Sequence, residues 1–309
     1  MKAARINRYG GSEVVEISTD VTVPTPSQGE VLVEVHAAGV NPVDWKIREG
    51  YLKQGLHLKI PATLGIDFSG LVHGVGAGVT EFVPGDEVFG QAKFNTGSFA
   101  EYALAETGLI ARKPEEIGHV EAGALPLPGV SALQALVDHM AIKRGQKILI
   151  HGGAGGIGSL AIQIAIHLGA SVSTTVGTKD VEYVKSLGVV DVIDYRNQSF
   201  ETLQHDYDAV FDTVGGETYR KSYGVIRKGG VLVSMLEQPD QKLMLQFGVR
   251  AVGQWTRVTT AHLLRLAELA EQGVLRVNID RIFSLNEATE ALVYQREGHP
   301  RGKIVIKIR

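Results

Sequence analysis

The run Lys147-Ile148-Leu149-Ile150 leads directly into His151-Gly152-Gly153-Ala154-Gly155-Gly156-Ile157-Gly158, and an apolar stretch then continues to Leu168. This is a short buried strand, a glycine turn and a helix that ends at Gly169. Gly153, Gly155 and Gly158 satisfy G-x-G-x-x-G in the strand–turn–helix setting that gives the pattern its meaning. The first glycine is expected to permit the tight turn, the second to let backbone approach a pyrophosphate, and the third to allow close helix–strand packing. Ala154, Gly156 and Ile157 complete the turn, where the helix N-terminus offers unpaired N–H groups and a positive dipole end to an anion. An incidental glycine-rich loop is the alternative, and the flanking elements argue against it.

Around this turn the texture is that of an α/β chain. Ser171 to Val176, Val190 to Tyr195, Tyr207 to Phe211 and Val231 to Met235 read as strands. Helices are expected at Ile157 to Leu168 and Val181 to Leu187, and the succession implies a parallel sheet covered on both faces. Before residue 112 the pattern differs. Glu30 to His36, Gly70 to Val75 and Asp86 to Gly90 alternate with period two between Gly and Pro punctuation, as in a β-barrel or sandwich. Glu121 to Leu125 and Ser131 to Met140 read as helices, with Pro126 and Pro128 as breaks. A helix is expected over Thr260 to Gln272. Ser284 with Glu287 forms a capping box for Asn286 to Gln295, and Gly302 to Lys307 is a closing strand.

Composition narrows the function. The chain has 309 residues, 44% of them hydrophobic and 21% charged, with a formal charge of −3 and no Lys/Arg block. That leaves no electrostatic footprint for nucleic acid or anionic lipid. The absence of cysteine excludes disulfides, thiolate nucleophiles and Cys-ligated zinc. No HExxH occurs, and the ten histidines are scattered. The first residues lack a signal-peptide pattern, and no apolar stretch approaches the ~20 residues of a membrane span. A cytoplasmic location is the expectation.

The dinucleotide type follows from the end of the second strand. A site for NAD wants Asp or Glu there to bond the ribose 2′-hydroxyl. Here Val176 runs into Gly177-Thr178-Lys179, with no acid before Asp180. A hydroxyl and an ammonium suit a 2′-phosphate, so NADP(H) is expected. A merely solvated surface lysine is the competing reading of Lys179.

Several further segments now carry a family resemblance. Gly39-Val40-Asn41-Pro42-Val43-Asp44-Trp45-Lys46, Leu64-Gly65-Ile66-Asp67-Phe68-Ser69-Gly70 and Val83-Pro84-Gly85-Asp86-Glu87-Val88 stand with the glycine turn, Asp212-Thr213-Val214-Gly215-Gly216 and Gly302-Lys303-Ile304-Val305. Over nearly its whole length the chain resembles the medium-chain dehydrogenase/reductases, in the zinc-independent quinone oxidoreductase and enone reductase branch. The resemblance implies a GroES-like β-barrel catalytic domain over 1–120, completed by 270–309, and a Rossmann domain over 121–269. It implies NADP(H) in the cleft, its nicotinamide facing the first domain. Zinc-dependent relatives place Cys where this chain has Asn41 and His where it has Ile66, and they carry a four-Cys zinc lobe that is absent here. No metal is therefore expected.

The resemblance also distributes roles. It puts Lys179 and Tyr195 at the adenosine 2′-phosphate beside Gly177 and Thr178; an interfacial aromatic is the alternative for Tyr195. Thr213, Val214 and Gly215 fall by the nicotinamide ribose. Ser234 and Met235 are weaker cofactor candidates, and Ser131 and Lys303 are set against purely structural roles. Lys46 is expected to donate to a developing enolate or to the cofactor ribose, with Asn41 orienting ribose or substrate through its amide. Tyr51 is a proton donor, a pocket wall or an exposed loop residue. Asp44 and Asp67 are expected to fix Lys46 by charge-assisted bonds, or else to serve as a turn aspartate and a packing carboxylate. His151 reads as a satisfied core histidine.

The implied reaction is metal-independent hydride transfer from NADPH to a quinone or enone. Quinone reductases place Tyr at the Lys46 position, which tilts the expectation toward enones. An NADPH-binding structural or sensing protein is the second reading, and reduction of a saturated carbonyl or enoyl thioester the third. A homodimer is expected, through the apolar run from Val249 to Trp255.

Overall fold

The computed structural model describes residues 1–56, 58–203 and 205–309. It divides into two compact units, Met1–Leu127 with Val258–Arg309, and Pro128–Arg257. The expected boundaries at 120 and 270 therefore move. α2 (below) packs on first-unit strands, and so does the helix that begins at Thr260.

In chain order the first unit opens with β1 (Ala3–Ile6), β2 (Val15–Ser18), β3 (Glu30–Val40), α1 (Pro42–Arg48) and β4 (Ala62–Thr63). β5 (Asp67–Val75), β6 (Glu87–Gln91), β7 (Tyr102–Glu106), β8 (Ile110–Arg112) and α2 (His119–Ala124) follow. Next, α3 (Pro126–Leu133) continues into a π-helical turn at Gln134–His139. Pro126 and Pro128 open this helix rather than break one. In the first turn no intrahelical N–H bond is lost, and the fixed φ suits the helix.

The second unit holds β9 (Lys147–His151), α4 (Gly156–His167), β10 (Ser171–Val176), α5 (Val181–Ser186), β11 (Asp191–Asp194) and β12 (Tyr207–Asp212). It continues with α6 (Gly216–Ser222), β13 (Ile226–Ser234), α7 (Gln241–Phe247) and β14 (Arg250–Gly253). Among the described residues its sheet has six strands in the order β11-β10-β9-β12-β13-β14, every pairing parallel. Ile148, Leu149 and Ile150 are fully buried, as expected of a central parallel strand covered on both faces. Strand order reverses between β10 and β12 on either side of β9. In such sheets ligands sit at that point, beyond the carboxyl ends of the strands.

The chain then completes the first unit with α8 (Thr260–Glu271), β15 (Ile279–Ser284), α9 (Ala288–Glu297) and β16 (Lys303–Lys307). The larger sheet runs β15-β16-β3-β5-β6-β8, with β7 on β3, and a smaller one runs β2-β1-β4. Val31, Val33 and Val35 of β3 point into a core shared with Phe68, Phe99 and Ile304, which fits the period-two reading. Ser284 donates through both its backbone N–H and its hydroxyl to Glu287, at 2.8 and 2.7 Å, ahead of α9. The sequence reading of this region as a capping box holds, but the strand leading into it was not anticipated. β15 exposes most of its side chains, so it carries no clean alternation.

Candidate active site

In the second unit the glycine turn joins β9 to α4. Its left-handed residue is Gly152, at φ +74°, so the tight turn falls one residue before the Gly153 expected to make it. Gly153 is required for a different reason: a Cβ there would lie 2.0 Å from the Thr174 hydroxyl oxygen of β10. At Gly158 a Cβ would lie 2.2 Å from the Gly152 carbonyl oxygen, so this glycine lets α4 close onto the turn. Gly155 is the exception. Its nearest Cβ neighbour is 3.4 Å away, and its φ of −77° suits any residue. No protein atom demands a glycine there, although the residue caps a twelve-residue helix. That open space at the first turn of α4, edged by Ala154, Gly156 and Ile157, fits a diphosphate that must approach the backbone.

Beyond β10, Gly177 faces the Tyr195 hydroxyl and the Arg196 guanidinium, at 3.3 and 3.6 Å from its Cβ position. Arg196 also lies over the Tyr195 ring. Lys179 stands in the exposed turn beside them. The structure thus brings Gly177 and Tyr195 together, with Thr178 and Lys179 in the turn that follows Gly177, and adds Arg196, which the sequence alone does not single out. It stands two residues past the end of β11. Asp194 was missed too: the Thr178 hydroxyl donates to it at 2.7 Å, so Thr178 is oriented by an acid. The Asp194 carboxyl lies below its usual range, chiefly because of that bond and the neighbouring N–H donors.

The strand ends opposite are tied by Asp212. Its carboxylate accepts from the Val214 and Gly215 N–H groups at 3.0 and 2.9 Å and from the Ser234 hydroxyl at 2.7 Å. Ser234 in turn accepts from the Leu236 and Glu237 N–H groups. Its hydroxyl is consumed in holding two loops, which corrects its reading as a cofactor ligand; Met235 donates its N–H to the Asp212 carbonyl. Thr213 donates to the His151 carbonyl at 2.7 Å, leaving Val214 at the half-exposed loop tip. Ser131 is fully buried, hydroxyl to hydroxyl with Thr256 at 2.7 Å, and its carbonyl accepts from Gln254. These bonds fit the structural reading of Ser131. His151 bonds Thr175 and Ser222, and burial drives its imidazole down to about 3, so it is neutral at pH 7.

In the first unit Asn41 caps α1 and is buried. Its amide Nδ2 donates to Asp67 at 2.9 Å, and its Oδ1 accepts from Lys303 Nζ at 2.6 Å. Lys303 also donates to the Val40 carbonyl at 2.6 Å. Asp67 accepts further from Leu127 N–H at 3.0 Å and from Gln91. Asp44 accepts the Asn41 N–H at 2.7 Å, while its other oxygen is buried without a partner. Burial raises Asp44 to about 8 and Asp67 to about 6, and lowers Lys303 to about 8.

One expectation is corrected here. The lysine whose charge Asp44 and Asp67 feel is Lys303, reached from the far end of the chain, and not Lys46. Lys303, at 4% exposure, directs two of its ammonium donors into this cluster, to Val40 and Asn41. Lys46 instead lies over the Trp45 ring, 5.6 Å from its centroid. Tyr51 is 68% exposed, edge-on to the same indole. Among the described residues no group of three or more His, Asp or Glu converges as a metal site.

Residues 27–115 match the alcohol dehydrogenase GroES-like domain, and residues 187–306 match the model described as zinc-binding dehydrogenase. The chain is 32% identical to the chloroplast envelope quinone oxidoreductase homolog of Arabidopsis thaliana, over 99% of this chain and 98% of the relative. It is 34% identical to the chloroplastic NADPH-dependent alkenal/one oxidoreductase of the same plant, over 99% and 79%. The quinone oxidoreductase structure from Coxiella burnetii superposes with a TM-score of 0.90 at 35% identity, covering 100% of this chain and 99% of that one. With these relatives the chain belongs to the medium-chain dehydrogenase/reductase superfamily, in its zinc-independent quinone oxidoreductase and enone reductase branch.

Proposed function

We propose that this protein is an NADPH-dependent, metal-independent reductase that transfers hydride to a quinone or an α,β-unsaturated carbonyl. The observation that carries the reading is the turn at Gly152–Gly158. Gly152, Gly153 and Gly158 are demanded by contacts or by φ, whereas nothing in the protein demands a glycine at Gly155. The hydroxyl, ammonium, phenol and guanidinium of Thr178, Lys179, Tyr195 and Arg196 form the polar end that suits a 2′-phosphate. Relatives named as quinone and alkenal/one oxidoreductases support the acceptor class.

Bound NADPH supplies the hydride, which goes to the electron-poor β-carbon of the acceptor. Negative charge then develops on the acceptor oxygen, where a preplaced donor lowers the barrier. Lys46 is that donor in this proposal, a half-buried residue whose ammonium lies over the Trp45 ring. Lys46→Ala is expected to lower kcat about a hundredfold, roughly 2.7 kcal/mol, with NADPH affinity held within twofold. Stopped-flow hydride transfer to an alkenal and to a para-quinone measures it. An unchanged rate with both removes Lys46 from the mechanism, and NADPH consumption with neither acceptor removes the function.

Two finer points belong to the same proposal. Among the described residues β14 is the last strand of its sheet and pairs only with β13, while Trp255 just beyond it is 77% exposed. An uncovered edge beside an exposed indole favours a homodimer across β14; sedimentation at the mass of one 33.2 kDa chain would refute it. No described helix is long and apolar enough to cross a membrane, and a cytoplasmic location is kept as part of the proposal.

A further inference from the structure

The polar cluster under α1 is larger than the reaction's donor requires. Lys303 from β16, Asp67 from β5 and Asn41 at the β3–α1 junction form a chain of bonds of 2.6 and 2.9 Å with none of the three side chains appreciably exposed. The Asn41 amide has one orientation open to it, because an ammonium can only donate and a carboxylate can only accept. Each end of that amide is thereby fixed by a full charge, the stronger class of hydrogen bond.

The remaining bonds spread the constraint. Lys303 also holds the Val40 carbonyl, and Asp67 the Leu127 N–H. Asp44 returns from the first turn of α1 to the Asn41 N–H. α1 has seven residues, too few to hold its own place through helix propensity. What fixes its start, and so where Lys46 emerges, is this set of bonds.

Resting on the function proposed above, we infer that Lys303 and Asp67 are positioning residues for the reaction, clamping the two ends of the Asn41 amide so that α1 presents Lys46 in one place. The charged groups acting on Lys303 are Asp67 and Asp44, and those acting on Asp44 are Asp67 and Lys303. With Asp44 as the neutral acid, the ammonium and one carboxylate balance. A buried set of this kind is costly to break by removing one partner and far less so by removing both, and this separates stability from positioning.

The experiment compares Lys303→Met, Asp67→Asn and the charge-balanced double variant. Each single variant is expected to lower kcat at least tenfold with NADPH affinity, followed by fluorescence, within twofold. The double variant is expected to regain most of the lost melting temperature while kcat stays at least tenfold down, because Asn41 has lost its ammonium. A readout without turnover goes alongside: the buried Asn41 side-chain amide protons are expected to exchange at least tenfold faster in the double variant than in the wild-type chain. Wild-type kcat in either single variant overturns the inference, as does recovery of kcat together with melting temperature in the double. Should a single variant not fold, the double variant and the exchange rates decide. A wild-type chain that reduces neither quinone nor alkenal overturns the function itself, and the positioning role with it. Failure of the clamp alone appears as variants that match an active wild type.

Discussion

Gly155→Val is expected to fold within about 1 kcal/mol of the wild-type stability and to bind NADPH at least a hundredfold more weakly, a loss of about 2.7 kcal/mol. The backbone at Gly155 is extended, at φ −77° and ψ 174°, a region open to every L residue. A Cβ there meets nothing closer than 3.4 Å. The added methyls would fill the space at the first turn of α4 that the diphosphate requires. Gly158→Ala is the contrast. Its Cβ would sit 2.2 Å from a backbone oxygen and 2.9 Å from the Gly153 Cα, so the turn must open and stability falls together with binding. Thermal melts and NADPH titrations of both variants separate a ligand-driven glycine from a fold-driven one. Equal NADPH affinity in Gly155→Val and wild type would mean that no diphosphate lies there.

Asp44→Asn is expected to stabilise the protein above pH 5 and to leave it unchanged near pH 3. Burial raises the Asp44 carboxyl to about 8 from a usual 3.8. The folded chain keeps a proton there that the unfolded chain releases, so stability falls as pH rises from about 4 to about 8. Each pH unit within that window costs about 1.4 kcal/mol. Between pH 5 and pH 7 the wild type loses about 3 kcal/mol that the amide keeps, because Asn has no proton to give up and still accepts the Asn41 N–H. Denaturant melts of the two proteins at pH 4, 5, 6 and 7 read the difference directly. Parallel curves would mean that Asp44 is ionised in the fold. His151 acts in the opposite direction in both proteins, its folded value of about 3 adding stability as pH rises from about 3 to 6.5. It cancels in the comparison.

How much of this was legible in the sequence depends on how local each feature is. The strand–turn–helix at 147–168 and the hydroxyl–lysine pair after β10 were readable because the residues that define them are neighbours in the chain. Even there the roles shifted by one position. Which glycine takes φ > 0 and which one meets Thr174 is set by the neighbouring strand, and no motif spacing reports that. The same locality explains Ser284 and Glu287, three residues apart and correctly read as a pair.

The cluster under α1 was readable only in parts. Asn41, Asp44 and Asp67 each stand out in sequence, and Lys46 is the nearby lysine, whereas the structure brings Lys303 to Asn41 from 262 residues away. The pairing of β16 with β3 sets Lys303 beside Val40 and Asn41, and nothing local in the sequence reports it. Ser131 and Ser234 show the converse. A hydroxyl at a strand or helix end looks available in sequence and is spent on Thr256 or Asp212 in the fold. Arg196 was passed over because an arginine after a strand has no signature of its own. It becomes a candidate once Gly177 and Tyr195 are seen beside it.

The central claim is that the second unit binds NADPH through the turn at Gly152–Gly158 and its 2′-phosphate through the residues around Gly177. Calorimetric titration of the wild-type chain with NADPH and then with NADH tests it most directly. One saturable site per chain is predicted, with NADPH bound at least tenfold tighter, about 1.4 kcal/mol, and with that margin reduced when Lys179 and Arg196 are both replaced by Ala. Absence of heat with NADPH, or tighter binding of NADH, would contradict it.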